Sequence, residues 1–271
     1  MDWKPLLLFP LAWALLSWFA HRSAFYPMRF PDGFWQEASA FGVEDVWLRS
    51  GKHRLHGWWS PLENSPAAVL FLHGNAGNVT HRIRHIRAWR AAGASILVID
   101  YRGYGRSEGR PTEAGIYEDA LAGYRYLRGR GYPPEKILVH GESLGTVAAA
   151  HVASVEPVAG LILEAPFPSA RAVANTVLPL LGPLLVWGFD LKSRMARVEA
   201  PVLVIHGEQD EIIPFRLGRE VFEAARPPKD LWAIPNAGHN DIPETAGPAY
   251  PERLRSFLSS VARTSGDSAR N

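Results

Sequence analysis

Lys136-Ile137-Leu138-Val139-His140-Gly141-Glu142-Ser143-Leu144-Gly145-Thr146 runs from an apolar strand, through a serine flanked by glycines, into a small-residue helix reaching Ala153. Strand, sharp turn and helix with a serine at the apex lift a hydroxyl clear of a sheet. The two glycines fit because such a turn brings backbone against backbone and uses dihedrals that side chains resist. A glycine-rich turn without chemistry has the same local sequence, so the rest of the chain decides between the two.

Apolar runs at Ala67–Leu72, Ser95–Asp100, Gly160–Leu163, Pro201–His206 and Leu231–Ile234 share the character of the run before Ser143. Continuous apolar strands are buried on both faces, as in a parallel sheet. Helical patterns lie between them at Val79–Ala92, Glu113–Arg128, Phe215–Ala225 and Tyr250–Ala262. The alternation predicts an α/β fold with a mostly parallel central sheet flanked by helices. Val43–Leu48 and Leu55–Trp59, joined at Ser50-Gly51, predict an opening antiparallel hairpin. Functional residues in such a sheet belong on loops at the carboxyl ends of the strands.

With 271 residues, 47% of them hydrophobic, the chain can bury a sizeable core. A net charge of +2 and the lack of any nucleic-acid motif argue against a nucleic-acid partner. Cysteine is absent, which excludes disulfides, thiolate nucleophiles and Cys-ligated zinc. From Pro5 to Ala20 no residue is charged, and Trp3, Trp13 and Trp18 stand where interfacial anchors would. Residues 1–22 are therefore expected to form an N-terminal hydrophobic helix, an uncleaved membrane anchor. A signal peptide and a helix packed on the domain are the alternatives. Lys4 against Arg22 and Arg29 leaves the orientation open.

Residues 23–42 are expected to be a linker lying on the domain, and 43–262 the domain itself. Residues 166–199 are expected to be a short helical cap inserted in it, either packed on the sheet or receiving an acyl chain. The polar segment 263–271 is expected to be disordered.

A serine hydroxyl is a weak nucleophile until a base takes its proton and a carboxylate holds that base in the right tautomer. His239 follows Leu231–Ile234, and Asp210 follows Val202–Ile205, so the topology places both on the same face as Ser143. An oxyanion developing on the attacked carbonyl needs backbone N–H donors. Leu144 supplies one, and Asn75, in the loop His73-Gly74-Asn75-Ala76-Gly77-Asn78, is the candidate for the other.

The stretches H-G-N-A-G-N (His73–Asn78), D-Y-R-G-Y-G-R-S (Asp100–Ser107), G-E-S-L-G and H-G-E-Q-D (His206–Asp210) resemble the α/β-hydrolase superfamily. More narrowly, they resemble its membrane-anchored serine hydrolases, the depalmitoylase and monoacylglycerol lipase-like group. The resemblance covers about residues 40–262. It implies the α/β-hydrolase fold, a Ser143–His239–Asp210 triad and oxyanion donors at Asn75 and Leu144. It further implies hydrolysis of acyl ester, thioester or amide bonds with neither cofactor nor metal.

Other residues compete for these roles. Glu208 is a second candidate acid, but Asp210 fits the spacing better. His73, His140 and His206 at strand ends are expected to be structural, and Asp241 is too near His239 in sequence to orient it. Asp100 is expected to brace the Arg102–Gly105 loop. His81 and His85 share a helical face without an H-E-x-x-H pattern, so no metal site is expected there. Arg82, Arg84, Arg87 and Arg90 are expected to form a solvated basic face, with a membrane-facing surface as the alternative.

The leading expectation is a membrane-associated serine hydrolase acting on a carboxylic ester, thioester or lipid-like substrate. An aminopeptidase-like amidase is the alternative. It needs an acidic group for a free amine, which Glu142 or Glu164 would supply. A catalytically silent binding domain is the third reading.

Overall fold

A computed structural model describes residues 25–36 and 42–268. The expected anchor, residues 1–22, lies outside the described residues. Among the described residues, no helix is long and apolar enough to cross a membrane.

Strand β1 (Tyr26–Pro27) precedes a hairpin of β2 (Glu44–Ser50) and β3 (His53–Ser60). Then follow β4 (Ala68–Leu72), β5 (Ala76–Gly77), β6 (Ser95–Ile99), β7 (Ile137–Glu142), β8 (Gly160–Glu164), β9 (Val202–Gly207) and β10 (Lys229–Ile234). Eight strands form one sheet in the order β10-β9-β8-β7-β4-β6-β3-β2. From β10 to β6 every pairing is parallel. β3 runs antiparallel to both β6 and β2, as the hairpin reading requires.

Alternate residues of the central strands enter opposite cores, because side chains along a strand point to opposite faces. Leu70, Leu72, Leu97, Val139 and Leu163 pack beneath the helices Glu113–Gly129, Leu144–Val155 and Phe215–Ala224. Val69, Phe71, Val98, Leu138 and Ile205 pack beneath the helices Ile83–Ala92 and Ala249–Ser268. Burying each such side chain contributes about 1.5–3 kcal/mol, which is why these strands read as unbroken apolar runs.

The chain goes from β4 outward to β6 and then returns to β7 on the other side of β4. The loops leaving β4 and β7 therefore diverge around a crevice at the carboxyl ends of the strands, where open α/β sheets place their sites. Leu72 is paired with Gly141, so the 73–78 loop starts beside Glu142 and Ser143.

Residues 25–36 lie on the domain rather than bridging to it. β1 pairs with β5, and the Arg29 guanidinium donates to the carbonyls of Gly103 and Gly109 at 3.1 and 3.0 Å. The 166–199 segment holds three short helices, Ala170–Val177, Gly182–Leu185 and Leu191–Met195. Its base is in the core through Phe189, Leu191 and Met195. Its outer part exposes Val177, Leu178, Leu180, Leu181, Leu184 and Trp187. The last helix corrects the expected boundary at Ala262. It continues to Ser268, since no proline stops it and a lone Gly266 weakens a helix without ending it.

Candidate active site

Ser143 occupies the turn between β7 and the helix Leu144–Val155 with φ 50° and ψ −116°. A non-glycine residue in that region is strained by about 1–3 kcal/mol and persists only where its surroundings over-determine it. Here they do. Ser143 N donates to Glu164 O at 2.8 Å, and Ser143 O accepts from Thr146 N at 3.0 Å and Thr146 Oγ1 at 2.6 Å. A Cβ at Gly145 would fall on the Leu72 carbonyl, and one at Gly141 on the Gly145 carbonyl. Both glycines are therefore sterically required, as the turn geometry implied.

The structure brings Ser143, His239 and Asp210 into one hydrogen-bonded chain. Ser143 Oγ is 3.0 Å from His239 Nε2, and His239 Nδ1 is 2.7 Å from Asp210 Oδ2. Asp210 is buried, and its Oδ1 accepts the N–H groups of Ile212 and Ile213 at 2.9 and 2.7 Å. Burial favours its neutral form. Hydrogen bonds from His206 and His239, the His239 charge and the Ile213 N–H outweigh this and hold the carboxyl well below the usual carboxylate range. Burial likewise disfavours the His239 imidazolium, but the Asp210 hydrogen bond and charge prevail and raise the imidazole above its ordinary 6.5. This chain of groups can remove a proton from the serine and hold it on the imidazole.

The competing residues lie elsewhere. Glu208 is exposed. Asp241 accepts from Gly238 N at 2.7 Å, and so shapes the histidine loop without touching the ring. Glu211, which no motif singles out, accepts from His239 N at 3.3 Å. His206 is buried and stands 3.3 Å from Asp210 Oδ2, behind the carboxylate. Asp100 O accepts from Ser107 Oγ at 2.7 Å, while its carboxylate takes the Val79 N–H at 2.9 Å. Arg102 is held instead by Asp119, which bonds both its guanidinium and its N–H.

The 73–78 loop lies against the nucleophile: a Cβ at Gly74 would stand 3.4 Å from Ser143 Cβ. The Asn75 side-chain oxygen accepts from Tyr104 Oη at 3.0 Å and Tyr26 N at 3.2 Å. The Tyr104 bond and β1 thereby fix the backbone from which the second oxyanion donor is expected. Leu144 opens its helix, where N–H groups lack intrahelical acceptors.

Two expectations need correction. Arg82 does not belong to a solvated basic face. Its side chain is only 12% exposed and its Nε lies 2.9 Å from Glu142 Oε2. The reason is long-range: β7 delivers a carboxylate beneath it. Nor is either candidate amine-binding acid free. Glu142 is paired with Arg82, and Glu164 is buried among His85, His140 and Tyr250.

The chain is similar to known proteins in sequence and in fold. A family model described as Serine aminopeptidase, S33 matches residues 63–191, a span that includes Asn75 and Ser143 but not Asp210 or His239. An uncharacterized protein of Mycobacterium tuberculosis is 39% identical over 214 residues, covering 77% of this chain and 76% of that protein. The human α/β-hydrolase domain-containing protein 17B is 36% identical over 200 residues, covering 72% of this chain and 67% of its own. A Pyrococcus furiosus esterase structure superposes with a TM-score of 0.72 at 23% identity, covering 88% of this chain and 98% of that one.

Proposed function

Because the chain belongs to the α/β-hydrolase superfamily, we propose that it is a serine hydrolase cleaving carboxylic ester or thioester acyl bonds through an acyl-enzyme. The observation that carries this reading is the chain Ser143 Oγ–His239 Nε2 and His239 Nδ1–Asp210 Oδ2, at 3.0 and 2.7 Å. His239 takes the Ser143 proton as Oγ attacks the carbonyl carbon. The N–H groups of Leu144 and Asn75 receive the oxyanion. His239 then returns the proton to the departing alcohol or thiol, and water repeats both steps to free the acid and the enzyme.

The pairing of Glu142 and Glu164 within the protein favours ester over amine-bearing amide substrates. The exposed apolar outer part of the cap supports a lipid-like acyl group. Association with a membrane is part of the same proposal and rests on the uncharged run Pro5–Ala20. A panel of p-nitrophenyl esters of increasing chain length, acyl thioesters and aminoacyl amides tests the substrate class. Ester or thioester turnover that grows with chain length is expected. Turnover confined to aminoacyl amides would overturn the assignment.

The base must be neutral to accept a proton, and the His239 imidazole titrates above its ordinary 6.5. As pH falls through that raised value, His239 protonates and activity is lost. The acid limb of kcat/KM on a p-nitrophenyl ester is therefore expected above pH 6.5. A limb centred below it would contradict the pairing with Asp210.

A further inference from the structure

We propose that Arg82 and Glu142 form a positioning pair that sets the second oxyanion donor and cancels charge beside it. This rests on the serine-hydrolase reading and assigns a role to two residues outside the triad. Glu142 ends β7 and immediately precedes the nucleophile. Its Oε2 lies 2.9 Å from Arg82 Nε and takes the Gly74 N–H at 3.4 Å. The same guanidinium donates from a terminal nitrogen to the Ala76 carbonyl at 2.8 Å. The two contacts fall on either side of Asn75, so the pair grips its peptide from both ends. The side chains are 12% and 16% exposed, and burial strengthens whatever charges remain there.

The chemistry explains why both members are needed. A carboxylate beside the oxyanion hole opposes the negative charge that builds in the transition state. Burial pushes the Glu142 carboxyl up, but Arg82 and then His85 outweigh this and keep it ionised. Glu142 is thus the acceptor that orients Gly74, and Arg82 is the cation that makes an acceptor of that charge tolerable. Glu142 also acts on His239, together with Asp210 and Glu211, and raises its imidazole. Around Glu142 itself stand Arg82, His85, His73 and Glu164.

Arg82→Met is expected to lower kcat by about 10- to 100-fold with KM nearly unchanged, since misplacing an oxyanion donor costs less than the 10²–10³ of removing one. The acid limb of kcat/KM should move to higher pH, because His85 and His73 still favour the Glu142 carboxylate while Arg82 no longer cancels its charge. Glu142→Gln in the Arg82→Met background keeps an acceptor for Gly74 N–H and removes the charge. It should recover the share of kcat lost to the uncancelled charge, though not the share lost with the Arg82 contact to the Ala76 carbonyl, and return the limb toward the wild-type position. A role in stability alone would lower the melting temperature, leave the limb in place and make the double variant no better than the single. Unchanged kcat and limb in Arg82→Met, or a double variant as slow as Arg82→Met, would overturn the proposal. Wild-type turnover that Ser143→Ala abolishes upholds the hydrolase reading whichever way the Arg82 variants behave.

Discussion

Ser143→Ala is expected to lower kcat by about 10⁵–10⁶-fold on any ester the protein accepts, the scale on which loss of a triad serine acts elsewhere. The loss should be chemical rather than structural. The Ser143 side chain makes no capping bond to the helix it precedes. The backbone bonds from Ser143 N to Glu164 O and from Thr146 N to Ser143 O do not involve the hydroxyl. Alanine meets the same positive φ as serine, so the strain of the turn is retained. The melting temperature should therefore stay near wild type while turnover disappears. What remains would reflect oxyanion donors and binding acting on water as the nucleophile. Hydrolysis at the wild-type rate would remove Ser143 from the mechanism.

Asp210→Asn is expected to lower kcat by about 10³–10⁴-fold, while Glu208→Gln stays near wild type. Asparagine keeps an oxygen for the Ile212 and Ile213 N–H groups, so the 210–213 turn should hold. It places an amide N–H where the carboxylate Oδ2 stood, 2.7 Å from His239 Nδ1. The ring must then carry its proton on Nε2, facing Ser143, and can no longer accept the serine proton. The imidazole also loses the charge that raises it, so any residual activity should have its acid limb at lower pH. Glu208 is exposed, whereas Asp210 is buried against the ring. A larger loss from Glu208→Gln than from Asp210→Asn would reverse their roles.

Much of this was legible in the chain because the decisive signals are local. Val69–Leu72 and Ile96–Ile99 read as buried parallel strands because each residue enters one of two cores. The positions of Ser143, Asp210 and His239 each follow a strand end, and the sheet order gathers strand ends on one side. Asp210 and Glu208 were separable by spacing, and the structure adds the turn that buries only one.

What the sequence hid depends on partners far along the chain. Arg82 reads as one of four surface arginines until β7 is seen to bring Glu142 beneath it. Tyr26–Pro27 reads as linker because its pairing with Ala76–Gly77 spans a long stretch of chain with no periodic signal. Glu164 offered itself as a free acid, yet its position at the end of β8 buries it among His85, His140 and Tyr250. Helix ends, as at Ser268, are weakly encoded wherever neither glycine nor proline forms a firm stop.

The central claim is that Ser143 is made nucleophilic by His239. The most direct measurement is the rate and site of covalent labelling by a fluorophosphonate probe at neutral pH, read by intact mass and peptide mapping. One adduct per chain is expected, on the peptide containing Ser143, forming at a rate that His239→Ala reduces by orders of magnitude. An adduct on another residue, or labelling of Ser143 at the same rate without His239, would contradict it.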